Sequence, residues 1–190
     1  MSEARITAGL DRLAALAAGC KALAPQLRRV AERYTTVLRA GGTLYFCGNG
    51  GSAADAQHLA TEYVVRYGAT RRPLAAVALT TDTSLLTAAG NDFGFEQIFS
   101  RQVEALCRPA DLLVLHSTSG RSPNLLAAAR AARAKRVATV AFTGRAGALA
   151  TEVDEAVIVP SSETALIQVL HMALEHLVVE LVEAALLESA

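Results

Sequence analysis

Residues 43–67, TLYFCGNGGSAADAQHLATEYVVRY, decide how the chain folds. TLYFC is short, apolar and rich in β-formers, so it reads as a buried strand. Gly48, Gly50 and Gly51 follow, and they let the backbone bend sharply and come close to a ligand. A helix starts near Ser52, whose hydroxyl can cap it and leave neighbouring amides free for an anion. Farther on, His58 and Glu62 stand four residues apart, placing an imidazole and a carboxylate on one helix face. That pair suits metal binding or acid–base work; taken alone, it also suits a plain surface contact.

Outward from this unit, the strand–loop–helix pattern repeats. Strands are expected at 43–47, 75–79, 111–116, 136–142 and 155–159. Helices are expected near 53–66, 83–90, 96–107, 123–134 and 146–151. Short apolar strands alternating with helices predict an α/β fold, a parallel five-stranded sheet with helices on both faces. Ligands of such sheets sit beyond the carboxyl ends of the strands. The loops expected there are GNGGS (48–52), TTDTS (80–84) and STSGRS (117–122), all small, hydroxylated or glycine-rich. In the last of these, Ser117, Thr118, Ser119 and Ser122 supply hydroxyls and Pro123 takes the first helical position. Amides and hydroxyls at a helix start suit a phosphate monoester. Neither glycine loop contains the G-x-x-x-x-G-K-[ST] pattern, which argues against a nucleotide triphosphatase. NDFGF (91–95) falls between expected helices and reads by itself as an Asx turn around Asn91 and Asp92.

Two helices precede the first strand, over 3–18 and 25–40, and Gly41–Gly42 ends the second. The expected division is a helical arm, 1–42, on an α/β domain, 43–190, the two making one structural unit. The last helix, 163–188, is apolar almost all round, which predicts burial against the sheet and against another subunit. Gln168, His171, Glu175 and His176 interrupt it and need partners there. His171 and His176 differ by about 140° around an ideal helix, so they do not chelate one ion together. Gln168 and His176 differ by about 80° in rotation and about 12 Å in rise, so for both to reach one site a bound substrate, a helix distortion or another subunit must help.

With 52% apolar and 19% charged residues, the 190-residue chain has a globular balance rather than a disordered one. Eighteen basic against eighteen acidic residues leave no broad field to attract nucleic acid or a membrane surface. Cys20, Cys47 and Cys107 are odd in number and far apart, which fits a reducing cytoplasm and no disulfide framework. The N-terminal region is charged, unlike a secretory signal, and no uninterrupted apolar run reaches membrane-spanning length.

Taken together, CGNGGSAADAQHLATEY, RRPLAAVAL, GNDFGF, STSGRSPN, FTG and the IQ-x-x-H-x-x-x-x-H pattern from Ile167 to His176 resemble the sugar isomerase (SIS) domain family over nearly the whole chain. The resemblance is closest to members that interconvert sedoheptulose 7-phosphate and D-glycero-D-manno-heptose 7-phosphate. It implies a flavodoxin-like α/β core whose terminal helices build a homotetramer, with sites near subunit interfaces. It also implies one Zn2+ per subunit on His58, Glu62, Gln168 and His176, with Glu62 and His176 as catalytic base and acid. Asn49, Gly50, Gly51, Ser52, Asn91 and Asp92, with Glu62 and Gln168, would then line the sugar, and Ser117, Thr118, Ser119 and Ser122 the phosphate. Val169, Leu166 and Arg121 depart from the family's usual Glu, Arg and small polar residue, and the turn before Val137 lacks its usual glycine. The other reading open at this point is a non-catalytic SIS-domain protein that binds a sugar phosphate, or the replication initiator, as a regulator. Such a protein would keep the phosphate loop and lose the acid–base set, whereas here His58, Glu62, Gln168 and His176 are all present.

Overall fold

A computed structural model describes residues 2–144 and 147–187. Helix α1 (Glu3–Gly19) leads through a 3₁₀ turn (Cys20–Leu23) into α2 (Ala24–Arg39), with Pro25 in its first turn. Gly41 then takes φ +78°. The N–H of Gly41 donates to the Leu38 carbonyl and that of Gly42 to the Val37 carbonyl, closing α2 as a Schellman motif.

Five strands follow: β1 (Leu44–Gly48), β2 (Ala76–Ala78), β3 (Leu112–Ser117), β4 (Ala138–Thr143) and β5 (Glu155–Ile158). They form one parallel sheet in the order β2-β1-β3-β4-β5. Between them run α3 (Gly51–Val64), α4 (Thr83–Phe93), α5 (Ser100–Leu106), α6 (Pro123–Ala134) and α7 (Ala148–Glu152), and α8 (Thr164–Leu187) ends the described chain. Strand alternation divides the core in two. Leu44, Phe46, Leu112, Val114 and Phe142 face α2, α3 and α8, while Cys47, Leu113, Leu115 and Ala141 face α5, α6 and α7. The order reverses between β1 and β3, so the loops leaving these two strands diverge and open a crevice at their carboxyl ends.

By length and composition α8 passes for a membrane span, yet Ile167, Leu170, Leu174, Val178, Val179 and Val182 are buried in the core. It packs most extensively on α2 and then on α3. Among its described residues α1 buries none, and it exposes Ile6 by 66% and Leu10 by 62%.

Four local differences have physical causes. The N-cap of α3 is Gly50 at φ +56°, so Ser52 lies buried inside the first turn and makes no cap bond. Helix α4 runs on to Phe93, stopped by Gly94 at φ +86°, so Asn91 and Asp92 end a helix rather than form a turn between helices. The expected helix at 96–107 begins as a 3₁₀ turn, Phe95–Gln97, and becomes α-helical only at Ser100. At the turn that lacks its glycine, Arg136 adopts φ +59°, a conformation costing an L-residue about 1–2 kcal/mol. The expected helix at 146–151 and the final helix at 163–188 each reach one position, 146 and 188, outside the described residues.

Candidate active site

The crevice at the strand reversal is closed by two asparagines. Asn49, after β1, and Asn124, in the first turn of α6, donate to each other's side-chain oxygens at 2.9 and 2.8 Å. This reciprocal pair joins the glycine loop to the serine loop. In the serine loop Ser117 Oγ accepts from the Gly120 N–H at 3.0 Å and lies 3.4 Å from Ser122 Oγ. Ser119 Oγ accepts from the Arg121 N–H at 3.3 Å. Ser122 is the N-cap of α6 with Pro123 behind it, and its hydroxyl makes no cap bond, which leaves the helix start open to an anion. Ser119 and Arg121 are exposed, so the loop faces solvent.

Gly51 is required by close approach: a Cβ there would collide with the side-chain amide of Gln168, which α8 lays over the start of α3. Asp55 lies one turn before His58. Burial raises the Asp55 carboxyl above its ordinary value, against the pull of His116, Gln168 and His58. Further along the same pair of helices, His58 Nε2 lies 3.0 Å from His176 Nε2 and 3.1 Å from Glu62 Oε1. One ligand atom from each of His58, Glu62 and His176 falls within 4.8 Å of the others. The separation computed for Gln168 and His176 is therefore real: each meets α3 at a different turn, and the two helices together make one site. Tyr67 closes the far side, its ring centroid 5.5 Å from that of His176.

Two imidazoles and a carboxylate gathered this closely could hold a metal ion. Asn91 and Asp92 are not brought into this group within one chain. They are exposed at the end of α4, with Asn91 Nδ2 donating to Asp92 Oδ1 at 2.8 Å.

Several supporting residues carry no motif. Arg71 donates to the carbonyls of Glu62 and Tyr63 at 2.8 and 2.9 Å, and its Nε lies 2.9 Å from Glu183 Oε1. Glu183 also accepts from the N–H groups of Gly68 and Ala69, both at 2.9 Å. Burial would raise the Glu183 carboxyl, but the N–H bonds from Ala69, Gly68 and Tyr67, together with Arg71, hold it below its ordinary value. Beneath the site, His116 on β3 and Glu175 on α8 are wholly buried and paired at 3.1 Å. Alternation along β3 signals His116, which shares a face with Leu112 and Val114; Arg71 and Glu183 leave no comparable trace.

The SIS domain family model matches residues 11–144. A phosphoheptose isomerase from Roseiflexus sp. is 53% identical over 166 residues, covering 87% of this chain and 84% of its own. One from Rhodospirillum rubrum is 55% identical over 164 residues, covering 86% and 87%. The structure of a phosphoheptose isomerase from Neisseria gonorrhoeae superposes with TM-score 0.91 at 40% identity, covering 96% of this chain and 98% of that one. A second, from Francisella tularensis, gives TM-score 0.92 at 34% identity over the same shares. With its switch-point serine loop and its imidazole–carboxylate group between α3 and α8, the chain belongs to the SIS domain family and, within it, to the phosphoheptose isomerases, which are aldose–ketose isomerases.

Proposed function

We propose that this sugar phosphate isomerase converts D-sedoheptulose 7-phosphate to D-glycero-D-manno-heptose 7-phosphate through an enediolate. The observation that carries the reading is the convergence of His58, Glu62 and His176 beside an open serine loop at the switch point. Ser117, Thr118, Ser119 and Ser122 hold the phosphate, and Asn49, Gly50, Gly51 and Ser52 line the sugar. Glu62 removes a proton from C1 and, after exchange with solvent, delivers a proton to C2. His176 carries the proton that moves between the two oxygens. His58, Glu62, Gln168 and His176 would hold zinc, about one per subunit, which when bound supplies positive charge at the carbonyl. The test is turnover of sedoheptulose 7-phosphate with fructose 6-phosphate as control; binding without turnover would support the regulatory alternative instead.

Two further outcomes follow from these roles. Ser119→Ala with Ser122→Ala raises KM strongly, since each lost hydrogen bond to a charged group is worth about 1.5–3 kcal/mol. An unchanged KM in the double variant contradicts the phosphate assignment. Elemental analysis of protein prepared without added metal gives about one zinc per subunit, and chelation abolishes activity that zinc then restores. Activity surviving complete stripping removes zinc from the reaction.

Assembly belongs to the same reading. The exposed apolar residues of α1, with Leu177 half exposed on α8, support association into a homotetramer with sites near subunit boundaries. Asn91 and Asp92, apart from the site in one chain, would reach the site of a neighbouring copy. Leu177→Arg then lowers both assembly by light scattering and activity, whereas adjacent Val178 is buried and arginine there would break the core. A fully active Leu177→Arg monomer contradicts shared sites.

A further inference from the structure

Helix α8 poses a problem of specification. It is apolar nearly all round, so hydrophobic burial discriminates weakly between one rotation of the helix about its axis and another. Yet the site needs one rotation only, because adjacent residues point about 100° apart and His176 must face α3.

Directly before His176, Glu175 is wholly buried and turned toward the sheet. Its Oε1 lies 3.1 Å from Nε2 of His116 and accepts from the Tyr34 hydroxyl at 3.3 Å. His116 itself is packed flat between Phe46 and Phe142, with ring centroids at 6.3 and 5.6 Å. Three elements, α2, β3 and α8, thus meet at one carboxylate. Tyr63 of α3 brings its hydroxyl into the same region. The Tyr63 hydroxyl and His116 Nδ1 have no hydrogen-bond partner among the described residues. His171, one turn before Glu175, is buried beside His116 with ring centroids 6.2 Å apart. Burial first, and then His116, push its pKa down to about 3, so it stays neutral against the Thr143 backbone.

For stability alone this is a poor core. Buried polar groups left partly unpaired are unfavourable, and apolar residues of similar volume commonly serve as well or better. What a polar contact adds is register, since only one rotation of α8 brings Glu175 onto His116 and Tyr34. Gln168, two turns earlier, falls nearly in line with Glu175, while His176 is turned aside to α3.

We propose that His116, Tyr34 and Glu175 form a buried polar latch that sets the rotation of α8 and so positions His176 and Gln168 against α3. They are positioning residues, and their role rests on the functional reading given above.

The test compares the wild type with the pair His116→Phe/Glu175→Met and with Glu175→Gln and Tyr34→Phe. The apolar pair melts no lower than the wild type. Its kcat falls roughly tenfold or more, the scale seen when groups supporting a metal site are removed, with KM near the wild-type value. In metal-free protein the imidazole nitrogen signals of His58 and His176 shift. Glu175→Gln, which keeps shape and one hydrogen bond, falls between wild type and the pair. A pair that is stable, with wild-type kcat and unmoved imidazole signals, overturns the latch. If the pair does not fold, the two single variants decide by the same readouts, and wild-type values in both overturn it. If even the wild type turns over no heptose phosphate, the functional reading fails, while the imidazole signals still decide the latch.

Discussion

Glu62→Gln is expected to lower kcat on sedoheptulose 7-phosphate by about two orders of magnitude or more, with the fold intact. Positioned proton transfer contributes on the order of 10²–10⁴ in rate, and glutamine keeps the shape of the side chain but cannot take a proton from carbon. The side chain is only partly buried and lies 3.1 Å from His58 Nε2, so the amide can hold the same position. Steady-state kinetics, with circular dichroism to confirm folding, checks this. Zinc content separates the two duties of Glu62. Lost turnover with zinc retained marks it as the base, while loss of both marks it chiefly as a ligand. A variant within tenfold of wild type would remove Glu62 from the proton transfer.

The second large effect lies away from the chemistry. Glu183→Gln is expected to destabilise the protein by about 3–5 kcal/mol, because it leaves the buried Arg71 guanidinium without its counter-ion. Both side chains are nearly inaccessible, at 4% and 6%, so solvent screens the pair little. Arg71 also ends α3 by binding the carbonyls of Glu62 and Tyr63, so its displacement loosens the helix that carries His58 and Glu62. The pH dependence has a definite sign. The Glu183 carboxyl is held below its ordinary value, so its stabilisation is fully present above the usual carboxylate range. It is lost as the pH falls through that lowered value, below the usual carboxylate range. Denaturant melts at pH 7 and pH 3 test both parts: the variant is much weaker at pH 7, and the gap narrows at pH 3. Equal stability at pH 7 contradicts the claim.

Much of the molecule is legible from local pattern. TLYFC followed by GNGGS announces a strand, a turn and a helix, because apolar β-formers and glycines act over a few residues. The five strands fall within one or two residues of their expected places for the same reason. What pattern does not show is contact at a distance. Asn49 and Asn124 are 75 residues apart, and nothing about either one alone points to the other. Arg71 sits in an arginine pair that resembles a solvated surface, yet it is buried against Glu183 from 112 residues away. Ser52 misleads because a serine before a helix commonly caps it, whereas Gly50, at positive φ, is the cap and the helix starts two residues earlier. Gln168 and His176, not neighbours on an ideal helix, are reconciled only by the second helix they both meet. Glu175 is legible as a carboxylate in an apolar helix that needs a partner, but that the partner is His116 shows only in the contact.

The most direct test of the central claim is proton exchange at carbon. The enzyme is incubated with sedoheptulose 7-phosphate in deuterated water and the sugars are read by NMR. A proton passed by Glu62 through an enediolate predicts deuterium at C2 of the aldoheptose 7-phosphate, and at C1 of recovered ketose as the reaction reverses. Glu62→Gln should slow this wash-in as much as it slows turnover. Aldoheptose that forms without deuterium, or wash-in that Glu62→Gln leaves unchanged, would contradict the account.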